Sequence, residues 1–245
     1  MTLTRPTLAA LALAGAAVLV TLAAPAGAAV GLWDFRGGFT VLRVGVYASL
    51  AALAVALAAL VAALAAGRTR SAGVAGAAAL VAALAALPPV SQYLLARSVP
   101  PINDITTDPA DPPAFTRAGA EEENGGAGAP YPGEEFAAQQ RVAYPDVGTI
   151  RVAAPPEETF RAARAVADGM GWDVVLEDAA AGRLEAVATT RWFRFEDDVA
   201  VRVRREDGGT EVDVRSRSRV GVSDVGANAA RIREFREALL DELGS

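Results

Sequence analysis

The stretch DDVAVRVRREDGGTEVDVRSRSR (residues 197–219) decides the fold of the water-soluble part of this chain. Polar and apolar residues alternate on both sides of Gly208 and Gly209, which is the pattern of two half-buried strands joined by a turn. A four-residue loop at 206–209 places Val201 opposite Val214. The pattern therefore predicts an antiparallel hairpin with one apolar face.

Three arginines alternate with serines on the second strand and so share one sheet face: Arg215, Arg217 and Arg219. In the predicted register Arg217 faces Asp198 and Arg219 faces Glu196, whereas Arg215 faces Ala200 and has no acid directly opposite. One interpretation is a solvated sheet face in which each exposed cross-strand pair contributes roughly 0.2–1 kcal/mol. The alternative is an anion site for a phosphate, a lipid headgroup or a glycan carboxylate.

The anion-site hypothesis includes two further residues. Asn228 lies at the start of the predicted last helix, whose N–H groups favour an anion, and Trp192 lies in the loop before the hairpin. The candidate ligand-binding residues are therefore Arg215, Arg217, Arg219, Trp192 and Asn228. The sequence predicts no catalytic residue, no metal ligand and no cofactor.

The hairpin forms the second half of a predicted four-stranded antiparallel meander. Strand patterns at 172–177 and 183–190 precede those at 198–205 and 211–219, with short links between them. One helix begins at Pro155 and Pro156, and a final helix begins after Ser223 or Asp224, either of which is a good N-cap. Its predicted buried stripe is Val225, Ala229, Ile232, Phe235 and Leu239. Residues 149–245 are thus predicted to be a two-layer α+β domain in which two helices flank the meander.

The composition changes near residue 100. Residues 1–97 contain six Arg and one acidic residue, whereas residues 98–245 contain 17 Arg and 28 acidic residues. An acidic domain binds nucleic acid poorly, so no nucleic-acid partner is expected. The chain has no His, no Cys and no Lys, and so lacks the usual general base, zinc ligands and amine nucleophile. These absences favour a binding or structural role over an enzymatic one.

Three uncharged apolar runs predict a transmembrane region over residues 1–97. They cover about residues 7–31, 44–66 and 72–96, and each reaches the ~20 residues that cross a hydrocarbon core. Their abundant small residues favour close helix packing. The first run also resembles a cleavable secretory signal, but its length favours a retained helix. Pro88 and Pro89 predict a kink in a third span that continues to Leu95.

The loop that contains Arg68 and Arg70 has no acidic residue, which favours its placement in the cytoplasm. The domain after the third span is then extracytoplasmic, and cleavage of the first run would leave it on the same side. We expect a multi-pass membrane protein. Its residues 98–148 are predicted to be an irregular linker with a short helix at 134–141 and a flexible acidic stretch at 121–133. The expected partners are the membrane and an unknown protein or envelope ligand.

Several acidic residues suit two interpretations. Asp104, Asp108 and Asp111 fit either a Ca²⁺ site or, because Pro109 interrupts their spacing, ordinary turns. Asp197 or Asp198 with Glu185 would suit a glycosidase pair. Adjacent strand residues point to opposite faces, however, which argues against that pair.

The aromatic residues Trp192, Phe193 and Phe195 lie close together before the hairpin. Such a group suits either contact with a lipid or a sugar, or the edge of a hydrophobic core. The edge of a core is the commoner arrangement for such residues and is therefore the one expected.

Three separated blocks resemble the family called domain of unknown function 1499. They are PPINDITTDPADPPAF (100–115), RLEAVATTRWFRFEDDVAVRVR (183–204) and RSRSRVGVSDVGANAARIREF (215–235), and the resemblance covers about residues 100–243. It implies a bacterial protein, since the family occurs in bacteria and some members carry N-terminal membrane helices. We therefore expect this multi-pass protein in the bacterial inner membrane. The resemblance implies no activity and no site residue.

Three functions are compatible with these patterns. The first is a non-enzymatic, membrane-anchored protein with an extracytoplasmic binding or structural domain, and a filled domain core would favour it. The second is a lipid or small-ligand carrier, which needs an apolar cavity between the sheet and the last helix. The third is a carboxylate- or Mg²⁺-dependent envelope hydrolase, which needs Glu185 to converge with Asp197 or Asp198.

Overall fold

The computed structural model describes residues 2–118 and 130–244. These residues form two compact units. The first unit comprises Met1–Leu95 together with Trp192–Arg194, and the second comprises Ala96–Arg191 and Phe195–Ser245. Most of the stretch predicted to be flexible, 121–133, lies outside the described residues.

The first unit is built from three long apolar helices. They are α1 (Arg5–Ala29), α2 (Phe35–Ala65) and α3 (Thr69–Ala96), of 25, 31 and 28 residues. Each is long and apolar enough to cross a membrane, which confirms the three predicted runs. The α2 helix begins at a side-chain cap, since the Asp34 carboxylate accepts the Gly37 N–H at 2.7 Å. The α3 helix continues through Pro88 and Pro89 to Ala96, as the sequence predicts.

Small residues let α1 and α2 pack closely, and alanines of α3 join the same cluster. The buried cluster consists of alanines from each helix: Ala10, Ala14 and Ala17, then Ala52, Ala56 and Ala59, then Ala75, Ala78, Ala79 and Ala82. At Gly45, a Cβ atom would lie 2.6 Å from the Thr21 hydroxyl oxygen, so only glycine fits there. This is the packing mode of membrane helices, in which van der Waals contact replaces the hydrophobic effect between helices.

The second unit is an α+β domain with an open antiparallel sheet. In chain order its elements are β1 (Asp104–Thr106), α4 (Glu134–Ala143), β2 (Ile150–Val152), α5 (Pro156–Gly169), β3 (Asp173–Asp178), β4 (Arg183–Thr189), β5 (Glu196–Glu206), β6 (Gly209–Ser218) and α6 (Ala227–Glu242). The strand order is β1-β6-β5-β4-β3, and β2 also pairs with β6. The predicted meander, β3 to β6, is confirmed. The two additional strands contain only three residues each, which is too short for a period-2 signal.

The register of the β5–β6 hairpin agrees with the predicted one. Asp198 lies opposite Arg217, and Arg202 lies opposite Asp213. The turn is shorter than expected, because Glu206 still pairs with Gly209. Asp207 and Gly208 alone reverse the chain, and Gly208 has a φ of 92°, which glycine adopts without strain.

Helices α5 and α6 cover one face of the sheet and enclose the core. From α6, Ala229, Ile232, Phe235 and Leu239 are each at most 2 % exposed, and the Phe235 ring stacks on Trp172 at 5.5 Å. Val225 was also predicted in this stripe, but it precedes α6 and has a φ of 56°. The helix begins late because the Asp224 carboxylate accepts the N–H groups of Gly226 and Asn228, at 2.8 and 2.7 Å.

Candidate functional site: the arginine face of the sheet

The side chains of β6 divide between the two faces of the sheet. Val212 and Val214 belong to the core under the helices, so Asp213, Arg215 and Arg217 project from the opposite face. Arg202 and Arg204 of β5 point the same way, since both bond Asp213. We call this opposite surface the arginine face. It holds most of the charged residues that the sequence singles out.

A segment that we call the strap, residues 107–118, packs against the arginine face. Its Phe115 is 1 % exposed. The guanidinium carbons of Arg215 and Arg217 lie 4.8 and 4.6 Å from the centre of the Phe115 ring. A ring face attracts a nearby cation, and the attraction grows when water is excluded. Arg215 and Arg217 are therefore covered by protein, whereas the sequence predicted a solvated face.

Arg215 forms a buried, two-pronged ion pair with Asp104. Its Nε and Nη2 donate to the two carboxylate oxygens of Asp104 at 2.9 and 2.7 Å, and both side chains are 2 % exposed. The sequence predicted no acid directly opposite Arg215, and the cross-strand neighbour is indeed Ala200. The partner instead comes from β1, on the other side of β6. The hairpin register therefore gives the cross-strand neighbour of Arg215 correctly but does not reveal its carboxylate partner.

The other two arginines share one acidic residue. Asp198 is fully buried and accepts from Arg217 Nη2 at 3.1 Å and from Arg219 Nε at 2.9 Å. Arg219 also pairs with Glu196. Both pairs predicted from the register are present. Arg217 is only 3 % exposed, however, so the predicted energy of a solvent-exposed pair does not apply to it.

Asp213 is the centre of a second buried cluster. Its side chain is fully buried and accepts from Arg202 and Arg204, both at 2.9 Å, and from Thr149 at 2.7 Å. Arg202 also bonds the strap, through the Asp111 carboxylate at 2.9 Å. This cluster ties β5, β6 and the strap together through charge-assisted hydrogen bonds.

Glu185 of β4 anchors the end of the strap. Its carboxylate is 1 % exposed and accepts the backbone N–H groups of Thr116, Arg117 and Ala118 at 2.8–3.0 Å. Burial alone would raise the pKa of Glu185, but these hydrogen bonds outweigh it and lower the pKa below its ordinary value. The group is thus held as an anion, which suits an anchor and not a general acid.

Tyr131 lies beside the buried pair, with its ring centre 5.6 Å from the guanidinium carbon of Arg215. Burial and the Asp104 charge raise the pKa of Tyr131 to about 12. The phenol therefore stays protonated at neutral pH and is a poor base.

The predicted ligand-binding residues do not converge. Arg215, Arg217 and Arg219 share the arginine face, but Asn228 lies on the helix side. There the Asn228 side chain accepts from the Ser216 hydroxyl at 2.7 Å and donates to the Asn103 carbonyl at 3.0 Å. The N–H groups at the start of α6 are held by Asp224. Trp192 lies in the β4–β5 loop, 63 % exposed, and so is not at the edge of a core.

The acidic residues with two interpretations all contact arginines or backbone N–H groups. Asp108 and Asp111 bond Arg202, as Asp104 bonds Arg215. Asp197 pairs with Arg231 of α6 at 2.6 Å, on the face opposite Asp198. Within residues 2–118 and 130–244, no group of three or more acidic side chains is placed to hold a metal ion.

Sequence reasoning missed the acceptor role of Glu185 and the partner of Arg215. The one signal for the latter was the Asp-rich stretch at 104–111, whose three carboxylates have no regular spacing that would match them to particular arginines of β5 and β6. The arrangement can neutralise charge and fix the strap.

The geometry defines a membrane-associated class of protein, in which apolar helices precede an α+β domain with a strap clamped to its sheet. A family model described as "Protein of unknown function (DUF1499)" matches residues 104–239, and the chain belongs to this family. The match begins at Asp104, the partner of Arg215, and covers the whole sheet. No curated protein matches the chain.

Proposed function

We propose that this is a non-enzymatic protein of the bacterial inner membrane, whose α+β domain lies outside the cytoplasm as a binding or structural module. The observation that supports it is the filled interior of the domain. Trp172, Phe235 and Leu239 occupy the space between the sheet and α6, with exposures of 7 % or less. A carrier of lipid or another small ligand would need a cavity there.

The positions of the carboxylates also support a non-enzymatic role. Hydrolysis by two carboxylates needs both to face one substrate. Asp197 faces α6, whereas Asp198 and Glu185 face the strap, and each accepts hydrogen bonds from arginines or from backbone N–H groups. A substrate would have to displace the strap to reach either of the last two.

Cysteine labelling in intact cells tests the placement of the domain, because the chain has no native Cys. Glu242→Cys places a thiol at the exposed end of α6, and the control Thr69→Cys places one at the exposed start of α3. We expect an impermeant maleimide to label the first in intact cells and the second only after lysis. The reverse pattern would place the domain in the cytoplasm and overturn this part of the proposal.

Ligand extraction tests the functional class separately. The full chain, purified in detergent and washed by detergent exchange, is extracted with organic solvent and analysed by mass spectrometry. A filled core predicts no small molecule at a stoichiometric level. A lipid or metabolite retained at one copy per chain would refute the proposal and favour the carrier alternative.

A further inference from the structure

The β4–β5 loop, residues 190–195, combines three aromatic residues with two arginines at a tight turn. The Thr190 N–H donates to the Phe195 carbonyl at 2.8 Å, and the Phe195 N–H donates to the Thr190 hydroxyl at 2.9 Å. Arg194 has a φ of 57°, which a side chain other than glycine rarely adopts. The closed turn presents the four residues between as one tip.

The tip exposes a large aromatic side chain that has an arginine on each side of it in the loop. Trp192 is 63 % exposed, and Arg191 and Arg194 are also exposed. Neither arginine forms a salt bridge with a residue that the structure describes. An exposed tryptophan between two exposed arginines suits an external partner that is apolar and anionic at once.

The helices indicate which partner this is. The end of α1 and the start of α2 share one membrane surface, and the end of α3 reaches that same surface because the spans alternate in direction. Aromatic residues mark this surface: the Trp33 indole N–H donates to the Ala24 carbonyl at 2.9 Å, and Phe35 and Phe39 pack edge-to-face at 6.1 Å. Such aromatic groups typically lie at headgroup level. The chain that follows α3 therefore leaves the membrane at this aromatic surface.

The tip belongs to the same compact unit as these aromatic residues. Trp192–Arg194 groups with Met1–Leu95, and within that unit the Phe193 ring centre lies 4.9 Å from that of Phe39. We propose that the β4–β5 loop is a second membrane contact of this protein. Trp192 lies at headgroup level, and Arg191 and Arg194 bind the phosphates of anionic lipids. This proposal requires membrane anchoring but not a particular orientation, so it can fail or succeed independently of the proposed function.

Quenching by brominated lipid tests the proposal in the full chain reconstituted into vesicles of phosphatidylcholine and phosphatidylglycerol. The Trp192 signal is the difference between the wild type and Trp192→Phe. As the matched control, Asp207→Trp in the Trp192→Phe background moves an exposed tryptophan to the opposite end of β5, roughly 33 Å away along the strand. We expect bromolipid to quench the Trp192 signal and not the control signal.

The arginines are tested by Arg191→Gln and Arg194→Gln. Each substitution should lower the equilibrium constant for insertion of the loop, the ratio of inserted to free loop, by about fivefold in anionic vesicles, because each basic residue at such a surface adds a comparable attraction. In vesicles of phosphatidylcholine alone, the two substitutions should have no effect. A Trp192 signal that aqueous iodide quenches and bromolipid does not would overturn the proposal. Equal insertion in both vesicle types would overturn the role of the arginines.

Discussion

The Arg215–Asp104 pair should be one of the most sensitive points of the domain to substitution. Asp104→Asn keeps the size of the side chain but leaves the Arg215 charge without its counter-ion. Both groups are 2 % exposed, so water cannot replace the lost carboxylate. Removal of one partner from a buried pair costs ~3–5 kcal/mol of unfolding free energy. That is a large part of the roughly 5–15 kcal/mol that stabilises a typical domain.

The domain contains a matched control for this experiment. Arg233 and Asp146 form a similar two-pronged pair, at 2.6 and 2.7 Å, but their side chains are 39 % and 51 % exposed. Asp146→Asn should therefore cost less than ~1 kcal/mol, even though the Arg233 hydrogen bond lowers the pKa of Asp146 to about 2. The two substitutions differ in burial and not in bonding geometry.

Urea unfolding of the full chain in detergent, followed by the fluorescence of Trp172 on Phe235, measures both variants. Urea is preferable to guanidinium because it does not screen charges. The double variant Asp104→Asn with Arg215→Met should lose less unfolding free energy than the two single variants lose in sum, by ~1–3 kcal/mol. Equal costs for Asp104→Asn and Asp146→Asn, or strict additivity in the double variant, would refute the reasoning.

Three further outcomes are expected. Arg217→Ala should cost ~3 kcal/mol rather than the ~0.2–1 of an exposed pair, because it leaves Asp198 buried beside Arg219 alone; a urea midpoint close to that of the wild type would contradict the burial. Sulfate should not raise the melting temperature, since Asp104 occupies Arg215; a sulfate shift that disappears in Arg215→Ala would restore the anion-site hypothesis. The pKa of Glu185 is lower in the folded than in the unfolded chain, so its contribution should be complete above about pH 4.3 and be lost as the pH falls through the folded value. Glu185→Gln should remove this acid dependence in unfolding curves from about pH 6 to about pH 3; a variant curve parallel to the wild type would exclude the anchor.

Much of the architecture follows from the sequence because its signals are local. Membrane spans are visible as uncharged runs of sufficient length, and helices and strands as periods of 3.6 and 2 residues. The hairpin register follows from the same alternation, because a slip of one residue would move Val212 and Val214 out of the core. The Asp198–Arg217 pair could be named in advance for this reason. In a hairpin, the positions of residues along the two strands determine directly which side chains lie opposite each other.

Tertiary structure alone decided what covers the arginines. Asp104 precedes Arg215 by 111 residues and lies in a strand of three residues, which has no periodicity to reveal it. The three N–H groups that Glu185 accepts belong to a strap without regular structure, and Asn228 falls on the face opposite the arginines. The strap covers a face that was predicted to be solvated, so the ion pairs of that face are buried. Residue spacing encodes which side chains share a face, but only the path of the distant chain determines whether water or protein covers that face.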